Sequence, residues 1–201
     1  MTTTFCQTWL SPLGPMTLAA TAQGLCGVWF DGQRHGPDPA RLQSFYPSGD
    51  HPVLQNTVRQ LQAYFAAPTP PGDQARTQPS PFDLPLDLSA GTPFQQSVWR
   101  ALLRIAPGRS ESYGELARHL AKPQAVRAVG AAVGRNPVSI IVPCHRILGA
   151  GGQLTGYAGG LWRKQALLQL EGHPRTEPHT HLSRPLLHAQ AEHTATSLFS
   201  E

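Results

Sequence analysis

Cysteine, charge and long apolar stretches are all scarce in this 201-residue chain. Its three cysteines, Cys6, Cys26 and Cys144, lie far apart and form no CxxC pattern, which argues against a disulfide framework or a zinc site and favours a reducing compartment. The N-terminus has neither a basic segment nor an apolar signal core, and no run nears the roughly 18 apolar residues of a membrane span. We therefore expect a cytoplasmic protein without a metal, a cofactor or a membrane segment.

The few charges that are present are unevenly distributed. Residues 91–171 contain ten Lys and Arg and three Asp and Glu, whereas residues 1–90 and 172–201 have net charges of −2 and −1. Eight of those ten cations are arginines, whose planar guanidinium suits phosphate and base contacts. The segment therefore favours nucleic-acid binding, although a solvated basic face would give the same count.

The first ninety residues have the pattern of a small α/β unit. Residues 16–19 and 24–30 are strand candidates separated by a glycine-containing turn. Apolar residues at helical spacing predict an amphipathic helix over 52–66. Five prolines between 68 and 81 then indicate a linker or an exposed loop.

Residues 91–171 are dense in helix signals. Thr92-Pro93-Phe94-Gln95 is a capping box that predicts a helix over about 93–105, and Ser112 begins a second capping box and helix. A third helix is expected over about 124–133. The last two helices, joined by a tight turn at 121–123, have the shape of a helix-turn-helix.

The second helix of this pair is unusually poor in base-reading side chains. It has small residues where Asn, Gln and Lys would read a major groove, and small side chains let a helix approach a narrow groove closely. Arg127 is its long cation, placed where it could enter the duplex and fill the space of a displaced base. Ordinary helix packing through Gly130 and Ala131 is the alternative.

A lone Cys-His pair follows a short apolar run. Residues 138–142 predict a buried, strand-like segment that Pro143 ends, so Cys144 would lie at the end of a rigid element. A thiol there could face a cleft, and a basic partner could raise its thiolate fraction. A cysteine among apolar residues can equally be a small buried hydrophobe.

The tail over 172–201 has five of the nine histidines, mixed with Pro, Thr and Ser. It contains little that can form a core, so we expect disorder. A histidine-rich metal tract is the alternative, but it lacks a tight ligand spacing and a cysteine partner.

Several separated motifs together resemble the O6-alkylguanine-DNA alkyltransferases, also called methylated-DNA-protein-cysteine methyltransferases. They are Ser112-Tyr113-Gly114-Glu115-Leu116-Ala117, Arg127-Ala128-Val129-Gly130, Asn136-Pro137, Pro143-Cys144-His145-Arg146, Tyr157-Ala158-Gly159-Gly160 and Leu170-Glu171. A weaker likeness begins at Ser11-Pro12-Leu13-Gly14. The resemblance implies a ribonuclease-H-like α/β domain over 1–90 and a mainly α domain over 91–171, with a winged-helix-like helix-turn-helix that binds double-stranded DNA through the minor groove.

The resemblance also implies a chemistry that the residues support. A thiolate is a soft nucleophile suited to in-line attack on an alkyl carbon, which makes Cys144 the candidate. Adjacent residues on an extended chain point to opposite sides, so a water between Cys144 and His145 is the expected proton route. Glu171 would orient His145, as in a hydrolase triad. From the residues alone, Glu171 at a helix end indicates a surface carboxylate.

Other roles are implied residue by residue. Tyr113 resembles the tyrosine that rotates the DNA phosphate and donates to the guanine ring, Arg127 the intercalating arginine, and Asn136 the hinge to the cysteine loop. The backbone of Cys144 and Ile147 would accept from the guanine amine. The DNA-binding set is Arg127, Tyr113, Ala128, Gly130 and Arg135, and the pocket set is Tyr157, Ala158, Ile147 and Pro143. Ala158 stands where many members have serine, so only its backbone N–H could contact the guanine oxygen.

The implied activity is stoichiometric, irreversible transfer of an alkyl group from O6-alkylguanine, and from O4-alkylthymine, to Cys144 after base flipping, by a monomer that acts once. Two other classes compete. A DNA-binding regulator of the alkyltransferase-like kind would lack the nucleophile, which is intact here. A cysteine hydrolase would need a histidine that reaches the thiol directly and an acyl pocket, and Arg127 and the helix pair argue against it.

Overall fold

The structure, a computed structural model, describes residues 2–67 and 80–174. Its strands are β1 (Phe5–Ser11), β2 (Gly14–Thr21), β3 (Gly24–Phe30), β4 (Tyr46–Pro47), β5 (Glu111–Ser112) and β6 (Ile147–Leu148). Its helices are α1 (Pro39–Gln43), α2 (Pro52–Ala66), α3 (Pro93–Leu102), α4 (Tyr113–His119), α5 (Val126–Gly134) and α6 (Leu161–Leu170), with short 3-10 helices at Pro123–Ala125 and Cys144–Arg146. Within these ranges no helix has the length and hydropathy to span a membrane.

A four-stranded sheet forms the first part of the chain, in the order β3-β2-β1-β4. The three long strands are antiparallel neighbours, and β4 pairs parallel with β1. The turn between β1 and β2 is tight, since Ser11 pairs with Gly14. Gly14 has φ +106°, a conformation that glycine tolerates best. Both strand predictions are confirmed, and β1 adds a strand that the sequence analysis did not identify.

Helix α2 covers this sheet and has the predicted bounds of 52–66. Its buried face is formed by Leu54, Thr57, Leu61 and Tyr64. From the apolar spacing alone, one would expect the leucine, valine and phenylalanine residues of the helix to form this face, and not Thr57 or Tyr64. The buried Tyr64 hydroxyl therefore needs a polar partner, and the second part of the chain supplies it.

The second part is mainly helical, as predicted. Thr92 accepts from the Gln95 N–H and the Gln95 side chain accepts from the Thr92 N–H, so the first capping box is formed. Helix α3 ends at Leu102, three residues earlier than predicted, because the N–H groups of Arg104 and Ile105 bond to carbonyls three residues back. The Ser112 box begins α4, and the predicted third helix is a 3-10 turn followed by α5.

The predicted strand over 138–142 is wrong, although the segment is buried. Val138 makes a single bridge to Val28 of β3, and the chain then turns at Ile140, whose φ is +72°. The Val142 N–H bonds back to the Val138 carbonyl, and Asn136 bonds other groups of the turn. Buried backbone groups satisfied in this local way need no sheet, which apolar content alone cannot reveal.

One buried apolar cluster runs through both parts of the molecule. It joins Leu25 and Leu61 of the first part to Val98, Cys144 and Leu167 of the second. The α3 indole also donates from Trp99 Nε1 to the Ala132 carbonyl of α5 at 2.9 Å. The helices around Cys144 are therefore held by packing from both sides.

The predictions for the proline-rich loop and the tail fall largely outside the described residues. Residues 172–174 of the tail are described, and there the prediction of disorder is wrong. His173 is buried, its backbone N–H bonds to the Leu168 carbonyl, and its Nε2 lies 2.9 Å from Ser110 Oγ. These contacts extend the ordered chain past α6.

The turn between α4 and the next 3-10 helix gives a testable prediction. Ala121 has φ +55° on an exposed position, where its Cβ is strained, and the Lys122 N–H bonds to the Ala117 carbonyl in a Schellman-type end. Ala121→Gly should raise the free energy of unfolding by about 1 kcal/mol. Ala63→Gly, at an exposed position of α2, should lower it by about 1 kcal/mol. Urea denaturation measures both, and a loss of stability in both variants would contradict the strain at Ala121.

Candidate active site

Cys144 begins a short 3-10 helix and lies at the wall of a cavity. The residue is 5% exposed, and the cavity has a volume of about 230 Å³. Tyr113 of α4 and Tyr157 and Ala158 of the loop before α6 also line it. The buried thiol therefore faces a space that a small planar ligand could enter.

Asn136 holds the turn that carries the thiol. Its Nδ2 donates to the Val142 carbonyl at 2.8 Å and to Cys144 Sγ at 3.1 Å, and its Oδ1 accepts from the Val138 N–H at 3.0 Å. Asn136 lies two residues after α5, and its N–H bonds to the Val133 carbonyl, so the end of that helix is linked to the position of the sulfur.

The environment of Cys144 opposes a resting thiolate. Burial raises the pKa of the thiol, and the Asn136 hydrogen bond and the positive charge of Lys164 only partly offset it. The expectation that a basic partner makes this thiol more acidic than a free cysteine is therefore wrong for the resting site, because desolvation outweighs the favourable contacts. Reaction then requires a base that takes the proton.

His145 is the predicted base, and it is completely buried. Its Nε2 lies 2.9 Å from Glu171 Oε1, and its Nδ1 has no hydrogen-bond partner among the described residues. Burial lowers the pKa of the imidazole despite the carboxylate beside it. The neutral ring thus donates through Nε2–H and has a free lone pair on Nδ1.

The expected alternation of Cys144 and His145 on an extended chain is wrong, since both residues lie in the 3-10 helix. Neither ring nitrogen bonds to the thiol even so. A proton passing from Sγ to Nδ1 would therefore need an intermediate such as a water.

Glu171 follows the last residue of α6 and is 3% exposed, so the reading of a surface carboxylate is wrong. It accepts from His145, from Arg146 Nε at 2.9 Å and Nη2 at 2.7 Å, and from the Tyr64 hydroxyl at 2.8 Å. Burial alone would raise the pKa of Glu171, but His145 and Arg146 together bring it well below its usual range. The carboxylate is therefore ionised and fully paired.

Two further buried side chains escaped the sequence analysis. Arg146 belongs to the motif Pro143-Cys144-His145-Arg146, but nothing in the sequence indicates what its side chain does. Its Nη1 donates to the Ile105 carbonyl. Lys164 is fully buried on α6 and donates to the carbonyls of Ile147 and Thr155. Burial lowers the pKa of Lys164 to about 8. Amphipathic spacing gives no signal for either residue, because buried cations are recognised only by their partners.

Tyr113 is the first residue of α4 and lines the cavity. Burial raises the pKa of its phenol, so the hydroxyl is a donor at neutral pH. Its ring lies about 3.6 Å from where a Cβ on Gly130 would stand, and a Cβ on Gly156 would lie 2.9 Å from its oxygen. Gly156, with φ +49°, therefore leaves room for the phenol as well as for the turn.

The predicted DNA-binding residues lie on α4, on α5 and directly after α5. Arg127 and Ala128 are exposed on α5, Gly130 and Arg135 line the cavity, and Arg135 follows the helix. The other exposed residues of α5 are Val126, Ala128 and Ala131, so Arg127 is its only exposed cation. Gly130 and Arg135 thus lie at the cavity that Cys144 also lines, and Arg127 and Ala128 lie on the same helix as Gly130.

The predicted pocket residues divide into two groups. Tyr157 and Ala158 line the cavity, whereas Pro143 and Ile147 are buried and are not among its lining residues. The Ile147 carbonyl already accepts from Lys164. Contacts of Pro143 and Ile147 with a bound base stay a prediction.

The first part of the chain also contributes to the cavity, which no motif indicated. Arg34 and His35 line it, and the Arg34 N–H donates to the Ala158 carbonyl at 3.0 Å. Gln33 is buried beneath them and accepts from Ser139 Oγ at 2.9 Å. Among the described residues, no three His, Cys, Asp or Glu side chains are grouped to hold a metal ion.

Comparison with known families decides the relationship. Residues 4–88 match the ribonuclease-like domain of 6-O-methylguanine DNA methyltransferase, and residues 93–173 match the DNA binding domain of the same family. The chain belongs to the 6-O-methylguanine DNA methyltransferase family. The resemblance found in the sequence motifs is confirmed, and so is a two-domain fold with an N-terminal sheet and a C-terminal helical part.

Relatives within this family are similar over most of their length. The methylated-DNA–protein-cysteine methyltransferase of Mycobacterium tuberculosis is 45% identical over 80% of this chain and 88% of its own. That of Methanosarcina acetivorans is 43% identical over 81% and 94%. The solved structure of the M. tuberculosis protein in complex with DNA is 44% identical, with a TM-score of 0.68 over 83% of this chain and 92% of that one.

The paired carboxylate of this family member gives a stability prediction. Glu171→Gln leaves the Arg146 guanidinium buried without its counter-charge and should lower the free energy of unfolding at pH 7 by about 3–5 kcal/mol. Glu111→Gln, which affects a partly exposed pair with His119, should cost less than about 1 kcal/mol.

The pH dependence of that difference has a definite sign. A carboxylate whose pKa is depressed by folding stabilises above its unfolded pKa, and this contribution is lost as the pH falls. The difference in the free energy of unfolding between the parent and Glu171→Gln should therefore decrease when the pH falls below 4.5, the ordinary pKa of glutamate. Urea denaturation at several pH values measures it, and a gap that stays constant on acidification would show that Glu171 is not stabilised as an anion.

Proposed function

We propose that this protein repairs DNA by direct reversal, transferring the alkyl group of O6-alkylguanine, and of O4-alkylthymine, to its own Cys144. The observation that carries the proposal is the buried Cys144 thiol at the wall of a cavity. The next residue, His145, is also buried and is paired with Glu171. The cavity of about 230 Å³ is smaller than the roughly 300–1,000 Å³ of most ligand clefts. That size suits a single base.

The chemistry follows from the arrangement of these groups. The Cys144 proton passes through a water to Nδ1 of His145, and Glu171 stabilises the imidazolium through Nε2–H. The thiolate then attacks the alkyl carbon in line with the departing base oxygen. One S–C bond forms, one C–O bond breaks, and the electron pair leaves with the guanine.

Two residues assist this step. Tyr113, whose phenol is protonated at neutral pH, donates to the guanine ring and neutralises the leaving anion. Asn136 fixes the sulfur by its hydrogen bond and couples it to α5. At Ala158 only the backbone N–H is available for the guanine oxygen, since the side chain has no hydroxyl.

We further propose that α4, the 3-10 turn and α5 act as a helix-turn-helix that enters the minor groove. The small residues Ala128 and Gly130 allow close approach, and Arg127 fills the stack after the damaged base is flipped out. Arg135 and the other exposed cations of residues 91–171 bind phosphates. The domains then correspond to about 1–90 and 91–171, in a cytoplasmic monomer.

Turnover is limited by the product. A thioether is chemically stable, and no described residue beside Cys144 is placed to cleave it. Each molecule should therefore remove one alkyl group.

Replacement of the nucleophile separates chemistry from binding. Cys144→Ala should abolish methyl transfer from labelled duplex DNA and leave DNA affinity nearly unchanged, because the phosphate contacts lie elsewhere. Cys26→Ala is the matched control and should keep transfer intact, since Cys26 lies on β3 and is not among the residues that line the cavity. Methyl transfer to the Cys144→Ala protein would exclude Cys144 as the acceptor.

Arg127 is tested by comparing two substrates. Arg127→Ala should slow single-turnover repair of methylated duplex DNA by roughly tenfold to a hundredfold, since base flipping costs a few kcal/mol. Its effect on free O6-benzylguanine should be small, because no duplex is opened. Arg59→Ala, at an exposed position of α2, serves as the charge-matched control. Equal slowing on both substrates would mean that Arg127 supports the fold or the pocket instead.

A further inference from the structure

Tyr64 links the ribonuclease-like domain to the centre of the active site. It lies on α2, its side chain is buried, and its hydroxyl donates to Glu171 Oε1 at 2.8 Å across 107 residues of sequence. The tyrosine ring packs against Phe65 and Phe82, each with ring centroids 5.3 Å away. The ring therefore belongs to the first domain, and its hydroxyl reaches the second.

Glu171 Oε1 is crowded with donors. It accepts from Tyr64 Oη, His145 Nε2 and Arg146 Nη2, all within 2.9 Å. Each donor withdraws negative charge from the same oxygen. The hydrogen bonds from Tyr64 and Arg146 reduce the negative charge on Oε1, and Oε1 therefore stabilises a protonated His145 less.

We propose that Tyr64 is a positioning residue for alkyl transfer: its hydroxyl holds the Glu171 carboxylate and keeps His145 in the neutral form that accepts the thiol proton. The inference rests on the proposed function in one respect, namely that His145 acts as the base. It assigns to the ribonuclease-like domain a direct part in preparing the active site.

The charges around the pair are consistent with this role. Burial lowers the pKa of His145, Glu171 raises it, and the cations Arg146 and Lys164 lower it again. The remaining titratable neighbours are the Cys144 thiol and the Tyr157 phenol. Burial and the Glu171 charge raise the pKa of Tyr64 well above its ordinary value, so its hydroxyl remains a donor.

The test is Tyr64→Phe, which keeps the ring and its contacts with Phe65 and Phe82 and removes one hydroxyl. Its first readout is the pKa of His145, measured by NMR in the DNA-free protein. Loss of a donor to the carboxylate should raise that pKa by about one unit. Phe82→Leu disturbs the packing of the same ring without touching the hydrogen bond, and it should leave the His145 pKa in place.

The second readout is the pH profile of single-turnover methyl transfer. In Tyr64→Phe the acid limb should move to higher pH by the same amount as the His145 pKa, and the rates should converge at high pH. An unchanged His145 pKa, or a rate lowered by one factor at every pH, would overturn the role of Tyr64. A raised pKa that the rate profile does not follow would instead overturn His145 as the base, which separates the two proposals.

Discussion

The buried Glu171 carboxylate is the interaction on which the rest of the site depends. A single anion, removed from water, is stabilised by the imidazole and the guanidinium of two adjacent residues and by a phenol from a distant part of the chain. Breaking such a cluster leaves a buried charge without a partner, which is costly. The cluster therefore fixes three elements relative to one another: the end of α6, the 3-10 helix that begins at Cys144, and helix α2.

In the proposed mechanism, the same cluster explains how a buried thiol can react. Desolvation works against a thiolate at Cys144, so the site cannot depend on an acidic cysteine. It has instead a neutral, oriented imidazole whose second nitrogen has no partner among the described residues. The imidazole is already aligned when the protein has folded. The reaction itself then requires only the proton transfer, the formation of the S–C bond and the breaking of the C–O bond.

Much of this arrangement could be predicted from local sequence signals, and the parts that could not are long-range. The capping boxes at Thr92 and Ser112 and the helix over 52–66 depend on neighbouring residues and were predicted correctly. The turn over 138–142 is buried like a strand, so apolar content was misleading. Glu171 and Tyr64 are interpretable only through partners 25 to 107 residues away, which no local pattern contains.

The central claim is that the protein is itself the acceptor of the alkyl group and that the acceptor is Cys144. Peptide mapping by mass spectrometry, after reaction of the unmodified protein with a duplex containing O6-methylguanine, tests it most directly. The account predicts one methyl group on the peptide that contains Cys144 and none on those that contain Cys6 or Cys26. Methylation of another residue, or repaired DNA with an unmethylated protein, would contradict it.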